Sequence, residues 1–186
     1  MNKLGLSLGL ALAVIGPTAG NATPVQWTTA SGGNGHWYEI VNASVDWYTA
    51  VSNAASSTFG ASTGYLATIT SAEEWAFFES VNVSRTYYWL GGSDLANEGT
   101  WLWVTEPGGA IAFSFSDWYP GEPNDLYDED FLQVGGLWND IYPSWTGGYV
   151  VEYSGNPSAV PLPATLPLLV AGLGALGFGL RRRKQA

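Results

Sequence analysis

No cysteine occurs anywhere in this sequence, and its 186 residues include one histidine and six basic residues. The first absence removes disulfides and thiol nucleophiles together, so stability has to come from an apolar core or from a bound metal ion. With a single histidine, His36, there is no nitrogen and sulfur set of the kind zinc prefers. The shortage of positive charge is sharper than the count suggests. Lys3 lies near the start, and Arg181, Arg182, Arg183 and Lys184 lie near the end. Between them Arg85 stands alone against all sixteen acidic residues, from Glu39 to Glu152. Phosphate affinity rests on Lys and Arg, so this balance argues against binding DNA, RNA or anionic lipid and favours metal cations. Scattered acids such as Glu39 and Glu106 are expected at the surface, where they serve solubility.

Apolar material is abundant. The chain is 46% hydrophobic and contains ten Trp, enough for one compact domain with a substantial core. Residues 1–22 read as an export signal: a basic Lys3, an apolar run from Leu4 to Ile15 and small residues Gly20 and Ala22 before a cleavage point. Residues 23–153 form the domain, and 154–160 are a linker. Residues 161–186 combine prolines, an apolar run from Leu162 to Leu180 and the terminal basic cluster. That run is about as long as a helix crossing the hydrocarbon of a bilayer, and the cluster is expected to stay cytoplasmic.

Within the domain, "GHWYEIV" alternates as a first strand would, and "DWYTAVSNAA" places Trp47, Val51 and Ala54 on one helical face. Ser71 followed by Glu74 is a capping box: the hydroxyl accepts from a free amide of the first turn and the carboxylate reaches back. A second helix starts there and buries Trp75 and Phe78. Aromatic and β-branched runs then dominate, in "YYWLGG", "TWLWV", "FLQVGGLW" and "GYVVEY". Trp89, Trp101, Trp103 and Trp138 are expected in the core. Between the second and third runs lies a Gly-, Pro- and acid-rich segment from Thr105 to Asp130, and long irregular loops in compact domains are usually functional.

The stretch "EPNDLYDEDFLQVGGLWND", residues 122–140, holds six carboxylates and no basic residue. Calcium takes six to eight oxygen ligands from carboxylates, amides, carbonyls and water in irregular geometry, and a set of Asp, Glu and Asn without His or Cys suits it.

In order and in detail, residues 35–153 resemble the C-type lectin-like domain. "YLATITSAEE" matches its second-helix entry, "YYWLGGSD" its Trp-Leu-Gly strand, "EPN" its long-loop tripeptide, "WND" the next strand and "GYVVEY" the closing strand. The resemblance implies an α+β fold with two helices, antiparallel sheets and a long calcium-binding loop. It assigns Glu122, Asn124, Glu129, Asn139 and Asp140 to a principal Ca2+ site that also contacts carbohydrate, and Asp94, Glu98, Asp125, Glu129 and Asp130 to an auxiliary Ca2+ site. It implies a cis peptide at Pro123 and, from the EPN order, glycans with vicinal equatorial hydroxyls such as mannose or glucose. Trp118, Tyr119 and Tyr127 flank the motif; Tyr119 and Tyr127 are available to stack on a sugar ring, and Trp118 is expected to pack. By alignment Ala54 and Val151, and Phe131 and Pro143, stand where the animal members carry cystines. The tail resembles the PEP-CTERM sorting signals of exported Gram-negative bacterial proteins, with Val160-Pro161-Leu162-Pro163 at the proline motif but without its Glu. This implies export, transient anchoring and removal by an exosortase-type enzyme at the cell surface; a permanent single-pass anchor is the alternative.

Three functions compete. The first is a non-catalytic calcium-dependent glycan-binding module. The second is a protein-binding adhesin or matrix component with purely structural calcium. The third, a glycoside hydrolase using two clustered carboxylates, is weakest, because each well-placed acid is claimed as a ligand and held ionised.

Overall fold

The computed structural model describes residues 22–82 and 86–155. The export signal, Arg85 and the sorting tail read from the sequence lie outside the described residues, as does most of the linker. Along the chain run β1 (Val25–Gln26), a 3-10 turn (Thr29–Ser31), β2 (Trp37–Val45), α1 (Trp47–Ser56), β3 (Thr58–Phe59), β4 (Ser62–Thr63), β5 (Tyr65–Leu66) and α2 (Ala72–Val81). β6 (Tyr88–Ser93), β7 (Leu102–Trp103), β8 (Ile111–Ala112), β9 (Phe131–Val134), β10 (Trp138–Ile141) and β11 (Gly147–Tyr153) follow. This is an α+β arrangement, as expected.

The main sheet runs β1-β2-β11-β6-β7-β8, with β5 on β11 and the β9–β10 hairpin joined through β9 to β6. Every pairing is antiparallel except β11 with β6. The closing strand lies on β2, with Tyr153 opposite Trp37 and Glu152 opposite Tyr38, so the two ends of the domain meet.

Both helices start where their caps dictate. Asp46 accepts from the Thr49 amide at 2.8 Å and caps α1, which buries Trp47, Ala50 and Ala54. Ala50 thus takes the inward position expected of Val51, which is half-buried. At α2 the Ser71 hydroxyl accepts from Glu74 N at 3.2 Å, and Trp75 and Phe78 are buried as the spacing predicts. The reciprocal half of the capping box differs. Glu74 is buried and its carboxylate accepts from Thr70, one residue before the cap, through the amide at 2.7 Å and the hydroxyl at 2.9 Å. A carboxylate turned inward finds its donors there instead of at the cap.

The expected core holds: Trp89, Trp101, Trp103 and Trp138 are all buried. Trp138 is its hub, with ring centroids of Trp75, Trp103, Phe113, Phe115 and Trp118 all 5.6–5.8 Å away and edge-on. Such pairs contribute about 0.5–1.5 kcal/mol each beyond area burial. Among the positions aligned with cystines, Ala54 and Val151 are buried in one cluster, and Phe131 packs on Trp47 and Tyr48 at 4.5 and 5.4 Å. Aromatic packing occupies the space that a covalent bridge would use.

Glu39 departs from its surface expectation. It is buried, and its carboxylate accepts from the Tyr153 hydroxyl at 2.6 Å across the β2–β11 pair. Glu106 is half-buried and accepts from Thr68 Oγ1 at 3.3 Å.

Candidate metal centre

Two elements place the acidic loop. Ahead of it, Trp138 N donates to Asp117 O and Tyr119 N donates to Trp138 O, both at 2.9 Å, which docks the long segment on β10. Glu122 N then closes a turn on Tyr119 O at 2.9 Å, and the Glu122–Pro123 peptide is cis, as the resemblance implies. Behind it, residues 129–130 enter β9, whose pairing with β10 sets Phe131 opposite Ile141 and Leu132 opposite Asp140. Register therefore brings the end of the loop beside "WND".

Asp140 organises what lies between. Its Oδ2 accepts from Asn124 N at 2.9 Å and Asp125 N at 2.8 Å. Asp125 Oδ1 in turn accepts from Glu129 N at 3.0 Å, and Asn124 Oδ1 from Leu126 N at 2.8 Å. These contacts hold the chain through left-handed conformations at Asp125, Tyr127 and Asp128, with φ of 49°, 66° and 72°, a region that non-glycine residues seldom occupy. Asn124 Nδ2 donates to Glu122 Oε2, and Asn139 Nδ2 donates to the Asp140 carbonyl. Burial raises the pKa of Glu122 first and the adjacent Asp140 carboxylate adds to it; burial also raises that of Glu129, with Asp140 and Glu122 next in effect. Glu122, Asn124, Asn139 and Asp140 are thus linked by local hydrogen bonds and Glu129 feels the charges of two of them, but among the described residues the Glu122, Glu129 and Asp140 carboxylates do not bring three oxygens within 4.8 Å of one another.

A second group lies alongside. Asp94, Glu98 and Asp130 each offer an oxygen, and the three oxygens lie within 4.8 Å of one another. Asp94 Oδ2 accepts from Gly99 N at 3.0 Å. Burial raises the pKa of all three carboxyls; the charges of Asp130 and Asp140 add to the rise at Asp94, those of Asp94, Asp125 and Asp130 at Glu98, and those of Asp128 and Asp125 at Asp130. Glu129 and Asp125, expected here as well, lie outside this 4.8 Å group; the strongest charges on Glu129 are those of the principal set.

The second group, with three oxygens within 4.8 Å of one another, fits a divalent oxygen-binding ion, and the donor types of the first suit the same chemistry. Asp140 Oδ1 and Asp94 Oδ1 are buried without a hydrogen-bond partner among the described residues, and such an atom costs about 1–3 kcal/mol. No Lys or Arg lies among the described residues to neutralise the site. Donors that are all carboxylate, amide or carbonyl oxygen match calcium.

Of the flanking aromatics, Tyr127 is 85% exposed, Tyr119 is exposed, and Trp118 packs against the core. Sequence reasoning missed a different set of residues. His36 has Nδ1 2.5 Å from Glu152 Oε1, beside Tyr38 and Glu74. The signal was there in "VVEY", a carboxylate at an inward position of an otherwise apolar closing strand.

Comparison with known proteins agrees with this fold. The family model "Lectin C-type domain" matches residues 50–140, and the "PEP-CTERM protein-sorting motif" matches 159–184. The chain is 34% identical over 137 residues to Halomucin of Haloquadratum walsbyi, covering 66% of this chain and 1% of that protein. It is 40% identical over 86 residues to a Perlucin-like protein of Mytilus galloprovincialis, covering 42% of this chain and 53% of that one. It therefore spans about half the length of one of these relatives and a small fraction of the other. Among solved structures, the cow carbohydrate-recognition domain of CD23, determined in the presence of GlcNAc2Man3 oligosaccharide, superposes with a TM-score of 0.54 at 27% identity, covering 65% of this chain and 89% of that one. By sequence motif, by topology and by family match, this chain carries a C-type lectin domain followed by a PEP-CTERM protein-sorting motif.

Proposed function

We propose that the domain, residues 23–153, is an exported, non-catalytic, calcium-dependent carbohydrate-binding module for glycans with vicinal equatorial hydroxyls. Glu122, Asn124, Glu129, Asn139 and Asp140 hold the principal ion, and Asp94, Glu98 and Asp130 serve an auxiliary one, which Asp125 and Glu129 reach only by moving in from outside the 4.8 Å group. The observation that carries this reading is the pair of buried, unpartnered carboxylate oxygens on Asp140 and Asp94, standing in a site without a basic residue.

Bound calcium supplies a Lewis-acidic centre with free coordination positions for two neighbouring sugar hydroxyls. The protein completes those hydroxyls. With the ion bound, the Glu122 carboxylate would accept a hydrogen bond from one sugar hydroxyl, while Asn124 and Asn139 would offer amide oxygen to the ion and NH2 to the sugar. Tyr127, displayed from the loop, adds an apolar face. The leader directs export. The tail anchors the chain until an exosortase-type enzyme removes it, leaving the domain at the cell surface or outside.

A glycan array read with and without chelator tests the reading. Binding to mannose- or glucose-type ligands that is lost with chelator supports it, as does a shift toward galactose in the double variant Glu122→Gln, Asn124→Asp. Binding to a protein partner with no glycan signal would replace it with an adhesin whose calcium is structural.

A further inference from the structure

Around Glu152 of the closing strand β11 lies a second cluster of buried titratable groups that the proposed function does not use. Glu152 is 1% exposed and accepts from Thr68 through the amide at 2.9 Å and the hydroxyl at 3.0 Å. Its other oxygen faces His36 Nδ1 at 2.5 Å and the Tyr38 hydroxyl at 3.3 Å. The Tyr38 hydroxyl donates to Glu74 on α2, and Asn34 Nδ2 donates to that same carboxylate at 3.0 Å and to Tyr38 at 2.8 Å. Glu106, after β7, shares Thr68 with Glu152. Tyr65 on β5 completes the surround, its hydroxyl raised mainly by burial and next by Glu152. Glu39 points to the opposite side of β2, toward Tyr153.

Three carboxylates therefore face one imidazole. That imidazole belongs to the segment that closes this end of the domain. Residues 22–36 rest on β2 through the β1 pairing and on α2 through the Trp27 ring against Phe77 at 5.9 Å; inside the segment, Trp27 N donates to His36 O at 3.0 Å and Gly35 N to Trp27 O at 2.9 Å, which ties the strand end to the histidine. Asn34 and His36 are the members of this segment that reach the carboxylates.

We propose that His36 is a pH-sensitive latch: protonated, it fastens residues 22–36 onto the carboxylates of β11 and α2, and deprotonated it lets that segment loosen. The direction follows from the surroundings. The hydrogen bond to Glu152 raises the imidazole pKa above 6.5, against an opposing effect of burial, and the charges of Glu152, Glu74 and Glu106 add to the rise. A group raised on folding stabilises the fold fully below its unfolded pKa and loses that contribution as pH climbs through its folded one. Loosening therefore belongs above pH 6.5.

His36 is the sole histidine among the 186 residues, so its imidazole resonances can be assigned by NMR without mutagenesis. At one fixed calcium concentration, the protein is expected to titrate with a midpoint above 6.5. Hydrogen exchange at the Trp27 and Gly35 amides, corrected for its intrinsic pH dependence, should accelerate through the same midpoint. Glu152→Gln should lower the midpoint, and His36→Gln should abolish the pH dependence of exchange in this segment while leaving chelator-sensitive glycan binding intact. A midpoint at or below 6.5 in the unmodified protein, or exchange at Trp27 and Gly35 that stays level across the midpoint, would overturn the proposal whether or not either variant folds.

Discussion

Asp140 carries two duties in one side chain. Its Oδ2 holds the Asn124 and Asp125 amides, while its Oδ1 is buried with no partner among the described residues. Asp140→Asn keeps the size but removes the charge, and calcium affinity should then fall by more than the about 10–100-fold typical of losing a supporting partner; unchanged affinity by calorimetric titration would remove Asp140 from the ligand set. Tyr127 makes the opposite case. With 85% of its surface exposed, Tyr127→Ala should leave stability within about 0.5 kcal/mol and weaken glycan binding by about two- to tenfold if the ring stacks on sugar. Residue types at the loop were legible in the sequence because calcium demands oxygen and little else. The inward turn of Glu39 and Glu74 was not, since each depends on partners from distant segments, Tyr153 for the first and Tyr38 and Asn34 for the second.

At the scale of elements, local chemistry decides where helices start and long-range packing decides how far strands extend. Both N-caps, Asp46 and Ser71, could be read from residue type. Asp46→Ala is expected to cost about 1 kcal/mol, measured as a lower denaturation midpoint in urea with unchanged slope. Strand limits were less legible. "YLATI" reads as a strand, yet β5 is Tyr65–Leu66 alone, because Ala67 bonds onward to Val150 and Gly91 outside a regular ladder. Likewise "FLQVGGLW" folds back on itself as the β9–β10 hairpin. Gly91 marks one tight crossing: a Cβ there would sit 1.9 Å from Thr105 Oγ1 and 2.8 Å from the Leu66 carbonyl. Gly91→Ala should destabilise by about 1–3 kcal/mol and shift the thermal midpoint down by several degrees; a neutral outcome would mean that the Thr105 side chain and the Leu66 backbone yield easily.

For the whole molecule, the absences that open the sequence meet in one place. Without cysteine, the loop is anchored to the body by hydrogen bonds to β10 and by aromatic packing around Trp138 and Phe131. With no Lys or Arg among the described residues, the proposed calcium is what would neutralise its carboxylates. Calcium at about 100 times its dissociation constant should stabilise the fold by about 2.7 kcal/mol, because only the folded loop assembles the ligands. A scan with and without chelator would register this as a higher melting midpoint, and the same midpoint in both would count against either site. The motifs made the overall topology legible, since order and spacing of elements are local text; how the loop and β10 meet depends on sheet register. The most direct measurement is a crystal structure of the protein grown in excess CaCl2. An ion ligated by Glu122, Asn124, Asn139 and Asp140 is the predicted result, and water alone among those oxygens would contradict it.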